Sequence, residues 1–90
     1  MNKTFVSLSS MSMDLERVAM GYQRGSITMA DRFLKEALVR KEEIDRNKIK
    51  PNVKKLMDGL DRIIDEKDIQ KKAEDALMYS ILLQNAALTT

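Results

Sequence analysis

Leu8, Met11, Leu15, Val18 and Tyr22 recur at alternating intervals of three and four residues, the spacing that keeps apolar side chains on one stripe of an α-helix. The stripe predicts a first helix over 7–24, with Gly25 suited to the left-handed C′ position that closes it. Thr28 followed by Asp31 has the form of a capping box, and the pattern beyond it predicts a second helix over 28–47. Ala30, Phe33, Leu34, Ala37, Leu38 and Ile44 face inward on that helix, while Lys35, Glu36, Glu42, Glu43 and Arg46 face outward. Pro51 bars its continuation, because proline lacks an amide hydrogen and disfavours the α region for the residue before it. Val53, Leu56, Met57, Leu60, Ile63 and Ile64 form the stripe of a third helix over 51–65, with Pro51 at its first position. Asp65-Glu66-Lys67-Asp68 is the next turn, Asp68 is the expected N-cap, and a fourth helix covers 69–88.

This last segment is apolar around almost its whole circumference from Ala76 to Leu88. At about 100° per residue, Ile69, Ala73, Ala76, Leu77, Ser80, Leu83, Ala87 and Leu88 share one broad face, and Met78, Leu82 and Ala86 fall elsewhere. On the first helix Met13 and Met20 lie opposite the core stripe. Short connections make consecutive helices antiparallel. The expected architecture is an all-α, up-down-up-down four-helix bundle of one domain spanning 1–90, with 1–7 as a flexible lead, completed or extended by dimerisation. A helical hairpin array that closes its core only in a dimer fits the same periodicity. In an antiparallel pair of the first and last helices, Met13, Met20, Met78, Leu82 and Ala86 form a candidate interface, and the flexible thioether side chain suits such a surface. The competing reading is cover within the chain, by Phe5, Val6 and Leu8 folding over Leu82 or by methionines filling core gaps.

Composition narrows the chemistry. With 90 residues, only 3 glycines and 1 proline, the chain suits a small helical domain, and about 64% of the extended-chain surface is buried at this size. There is no cysteine, hence no disulfide, no thiolate nucleophile and no cysteine metal site, which fits a cytoplasmic location. There is also no histidine. That removes the commonest general base and transition-metal ligand, and with it Glu-x-x-His di-iron bundles and histidine phosphotransfer bundles. No catalytic residue, cofactor or metal site is expected, and the chain is not expected to be an enzyme. The serine-rich start leaves no continuous apolar core for a signal peptide. No stretch approaches the length of a membrane span.

The net charge of +2 creates no strong field, but Arg46, Lys48, Lys50, Lys54 and Lys55 cluster without an acid among them, beside the predicted start of the third helix. They form a candidate anion site for a phosphate, a nucleic-acid backbone or an acidic partner. No aromatic residue accompanies them for base stacking, and solvated lysines are the plainer account. Asp58, Asp61 and Asp65 line one side of the third helix, where Lys54 and Arg62 are expected to pair with Asp58. Tyr22 and Tyr79 are expected to pack their rings and satisfy their hydroxyls at the rim. Gln84, beside the last core face, is a candidate register-setting amide. The leading expectation is a small non-catalytic helical interaction or assembly protein that self-associates or binds another helical protein. The alternative is a nucleic-acid-associated accessory protein using residues 46–55.

Overall fold

In a computed structural model that describes residues 3–89, the first helix, α1, runs Lys3–Gln23. It starts earlier than the serine-rich stretch suggests because the lead has core to cover: Leu8 is fully buried and Phe5 packs against the buried cluster. Residues 3–7 are therefore helical, and Met1 and Asn2 lie outside the described residues. Gly25, at φ +78°, reverses the chain in a conformation that glycine reaches without a Cβ penalty. The second helix, α2, runs Ile27–Glu43. Thr28 and Asp31 do not form a capping box, since Ser26 occupies the N-cap without a side-chain hydrogen bond and Asp31 accepts from the Tyr22 hydroxyl instead.

α2 also stops sooner than its periodicity implies. Ile44 turns extended and sinks into the core, and Asp45 caps a 3₁₀ turn over Arg46–Lys48 by accepting from the Asn47 amide at 3.0 Å. A short acidic side chain that bonds its own neighbouring backbone competes with helix continuation. The third segment is a broken helix, α3 (Pro51–Gly59) and α4 (Asp61–Asp65), joined at Leu60. There the Leu60 amide donates to the Met57 carbonyl and the Ile63 amide to the Leu60 carbonyl, both three residues back. Tyr79 of the last helix packs closely on Gly59 beside the joint, where an added Cβ would overlap its hydroxyl and displace that side chain. The last helix, α5 (Ile69–Leu88), begins as the sequence implies, with Asp68 accepting from the Gln70 and Lys71 amides at 3.0 and 3.3 Å.

The described residues are all-α, and α1 packs against both α2 and α5. Small side chains set how closely. Ser12 and Ala19 on α1 and Ala73, Ser80 and Ala87 on α5 are all buried and recur at seven-residue intervals, and the Ser12 hydroxyl donates to the Ser80 carbonyl at 2.6 Å. On the other side Gly21 abuts Ala30, where an added Cβ would stand 2.8 Å from the Ala30 Cβ. The contacts Gly21 to Ala30 and Asp14 to Arg40 run α2 antiparallel to α1, and Ser12 to Ser80 with Lys72 over the Tyr22 ring does the same for α5. Leu8, Met11, Leu15 and Val18 fill the space between helices together with Met57, Leu60, Ile63 and Leu83.

Several apolar positions fall outside this core. Ile64, Ile69, Leu77 and Leu88 are exposed although their periodicity places them inside, whereas Ala86 is buried. For Leu77 and Leu88 the reason is the rotation of α5: its buried face centres on Ala76 and Leu83 and reaches round to Ala86, so the flank carrying Leu77, Ile81 and Leu88 turns outward, whereas Ile64 and Ile69 sit on either side of the α4/α5 turn. Gln84 is likewise exposed and sets no register within the core. Among the described residues, no helix is long and apolar enough to cross a membrane.

Leu60 is fully buried at the α3/α4 joint, so Leu60→Ala is expected to cost on the order of 2–5 kcal/mol. Chemical denaturation followed by circular dichroism checks this, and an unchanged midpoint would mean that the joint is not part of the cooperative core.

Candidate functional site

Two packed helices each expose large apolar side chains. Met13 and Met20 on α1, with Leu77 and Ile81 on α5, are between 38% and 54% exposed. A shallow groove between the helices is lined by Ser12, Glu16, Leu77, Ser80, Ile81, Gln84 and Asn85, and a second dent is formed by Met13, Glu16, Arg17 and Met20. Glu16 lines both and stands between them. The membership differs from that implied by periodicity. Met78 and Leu82 are exposed, at 48% and 38%, but do not line the groove; Met78, three residues before Ile81, borders the Ile81 flank, and Leu82 lies farther round α5. Ala86 is nearly buried, packed with Ile49 and Val53 at the edge of the core. What joins Met13 and Met20 across the groove is therefore the Leu77 and Ile81 flank. Both residues were visible as apolar, but their outward direction depends on how α5 is rotated against α1.

A buried carboxylate lies on the opposite side of α1. Asp14, only 5% exposed, accepts from Arg40 Nε at 2.8 Å and has Arg17 3.6 Å away. It ties α1 to α2. Arg17 in turn lies over the Phe33 ring at 5.5 Å. The periodic reading missed this site, although Asp14 sits three residues after Met11 and four before Val18, within the core phase of α1. An acid in that phase signals a partner on a neighbouring helix, since a buried charge must be paired.

At the far end of the α1/α5 pair, Tyr22, Gln23, Ile69, Gln70, Ala73 and Glu74 line an open cleft of about 420 Å³. The Tyr22 hydroxyl is already committed to Asp31, and Lys72 Nζ sits 5.2 Å from the ring centroid. Burial first, then the hydrogen bond and charge of Asp31, pushes the Tyr22 hydroxyl well above its usual titration range. The cleft thus offers a satisfied phenol and two amides, with no nucleophile paired to a base. Tyr79 is half-buried, its ring laid on Gly59.

Because Tyr22 releases its proton less readily in the folded state than in the unfolded chain, its contribution to stability is fully present below the ordinary tyrosine value of 10.0 and declines as pH rises above it. Tyr22→Phe is expected to flatten the stability curve on that alkaline side relative to wild type. Parallel denaturation series between neutral and alkaline pH measure the difference.

The basic cluster is spread around the α2/α3 connection. Arg46 pairs with Asp58 at 3.1 Å, and Lys50 Nζ donates to the Thr89 carbonyl at 3.4 Å. Lys48 is exposed at the edge of a small slot formed with Ile49, Lys50, Val53, Ala86 and Thr89. Lys54 and Lys55 lie one turn into α3. The neighbouring acids are drawn into ion pairs, but with different partners from those expected: Asp58 takes Arg46, and Asp61 takes Lys41 at 3.2 Å. Helix-local pairing with Lys54 and Arg62 gives way to links from the end of α2 and the connection after it. Among the described residues no group of three or more acidic side chains converges on a metal-sized site.

Replacing Lys48, Lys50, Lys54 and Lys55 with glutamine is expected to abolish any weak, sequence-independent binding of labelled DNA or RNA at low salt, read by anisotropy, because such binding is driven by counterion release. Indistinguishable wild-type and quadruple-variant titrations would mark the cluster as solvated surface. Compared with protein-family models, curated proteins and solved structures, the chain matches none.

Proposed function

We propose that this chain is a small, non-catalytic assembly protein of the cytoplasm, whose working surface is the outer face of α1 and α5. The observation that carries the reading is the grouping of Met13, Met20, Leu77 and Ile81, large apolar side chains exposed on two packed helices around two dents that adjoin at Glu16. Large contiguous apolar patches are uncommon on monomers and mark surfaces that a partner covers. Methionine at two of the four positions favours adaptable packing over a rigid ligand site. The absence of histidine and cysteine and the commitment of Asp14, Asp58 and Asp61 to ion pairs support a role in binding rather than catalysis.

Self-association is the form of assembly favoured here, since a chain of 90 residues has a small core and gains by covering its outer face. A second reading, a nucleic-acid-associated accessory protein, draws support from Lys48 and Lys50, which flank the start of α3 and form no ion pair with an acidic side chain among the described residues. The anisotropy comparison above separates it from the first.

Light scattering tests the leading reading directly. Wild-type protein at tens of micromolar is expected to exceed the 10.3 kDa of one chain, and the Met13→Lys, Met20→Lys double variant is expected to fall to that mass while keeping its helical circular dichroism. A wild-type mass of one chain up to high micromolar concentration overturns self-association through this face.

A further inference from the structure

Val6, Met13 and Met20 stand seven residues apart on α1, and each is exposed. Seven residues are nearly two helical turns, so the three side chains form a narrow apolar line along the outer face, the spacing of a helix that pairs with another along its length. Between Met13 and Met20 this line is flanked by opposite charges. Glu16 falls roughly 50° to the α5 side, where it lines the groove with Leu77 and Ile81. Arg17 falls roughly 50° to the α2 side, where it is held against Asp14 and the Phe33 ring. No ion pair within the described residues engages Glu16. Ser9 and Ser10, in the layer between Val6 and Met13, are small enough to let a second helix approach.

We propose that a second copy of this chain docks on this face through a parallel α1 to α1 seam, with Val6, Met13 and Met20 meeting their own counterparts. This rests on the assembly reading above and names its partner and geometry. The charges choose the direction. A two-fold axis parallel to α1 lays the α5 flank of one copy beside the α2 flank of the other at the same height, so Glu16 meets the partner's Arg17 on one side and Arg17 meets the partner's Glu16 on the other. An axis perpendicular to α1 keeps like flanks together. It would set Glu16 against the partner's Glu16 and Arg17 against the partner's Arg17, two like-charge contacts of the kind that suppress wrong pairings. Three apolar side chains on one helix are too few for a stable interface, which buries about 800 Å² per partner. The parallel arrangement supplies more, because it brings the Leu77 and Ile81 flank over the partner's α2 flank. On that flank Met29 is exposed and Phe33 is half-buried.

The chain has no cysteine, so single-cysteine variants report the seam without background. Met13→Cys and Met20→Cys, each treated with oxidised glutathione, are expected to form disulfide-linked dimers at least tenfold faster than Val39→Cys, an exposed control on α2. Adding Glu16→Arg to either variant is expected to slow cross-linking by roughly tenfold, as like charges then face each other at the seam. Preferential 13-to-20 disulfides in an equal mixture of the two variants would establish the antiparallel arrangement and overturn the proposal. Cross-linking no faster than the control, from protein whose scattering mass is that of a dimer, places the seam elsewhere: the proposal falls and the assembly reading stands. A monomeric wild type removes both.

Discussion

Everything in this molecule is arranged around the close approach of α1 to its two neighbours. Gly21 sits against Ala30 on one side, and Ser12 and Ala19 face Ala73, Ser80 and Ala87 on the other. Small facing residues bring helix backbones together and leave little room for bulk at the contact. The large side chains of α1 that point between its neighbours, Leu8, Met11, Leu15 and Val18, then meet the α3/α4 segment and Leu83 and complete the core. The same constraint explains the surface. With alanine and serine on much of the inner face of α5, the larger side chains Leu77, Met78, Ile81 and Leu82 are carried on its flanks, in solvent. The apolar exterior is thus the counterpart of a tight interior.

Polar ties fix the register of this packing. The Ser12 hydroxyl reaches the Ser80 carbonyl, Arg40 reaches Asp14, and Tyr22 reaches Asp31. A buried pair adds little net stability over an apolar one, but leaving either partner alone is costly. A helix slid by one turn would strand Asp14 among apolar side chains, so the ion pair excludes alternatives that hydrophobic burial alone would tolerate. Tyr22 contributes in the same way, at the end where α1, α2 and α5 meet. The Gly59 contact with Tyr79 performs the corresponding task for the broken third helix, locking its joint against α5.

The surfaces that remain are of two kinds. The face of α1 and α5 carries exposed Met13, Met20, Leu77 and Ile81 around two dents that adjoin at Glu16. The α2/α3 end is basic, but Arg46 and Lys50 are already partnered within the fold. Apolar burial drives association without a specific chemistry, whereas at the basic end Arg46 is already charge-paired with Asp58 and the lysines are spread around the connection. That difference in available free energy is why the apolar face, rather than the basic end, carries the functional proposal.

The all-α character, the helical stripes of α1 and α3, the Gly25 turn, Pro51 at a helix start and the Asp68 cap were legible in the sequence, because each depends on local backbone preferences or on a period within one segment. The early end of α2 and the break at Leu60 were not, since Ile44 is drawn into the core and Tyr79 packs on Gly59 from another segment, contacts that no single segment's period encodes. For the candidate site, Met13 and Met20 were legible as apolar residues off the core stripe. Their companions were not. Ala76 to Leu88 is apolar on nearly every side, so its own pattern cannot say which flank turns to solvent. Only the seating of Ser80 against Ser12 decides that Leu77 and Ile81 line the groove beside α1, that Met78 and Leu82 do not, and that Ala86 is nearly buried.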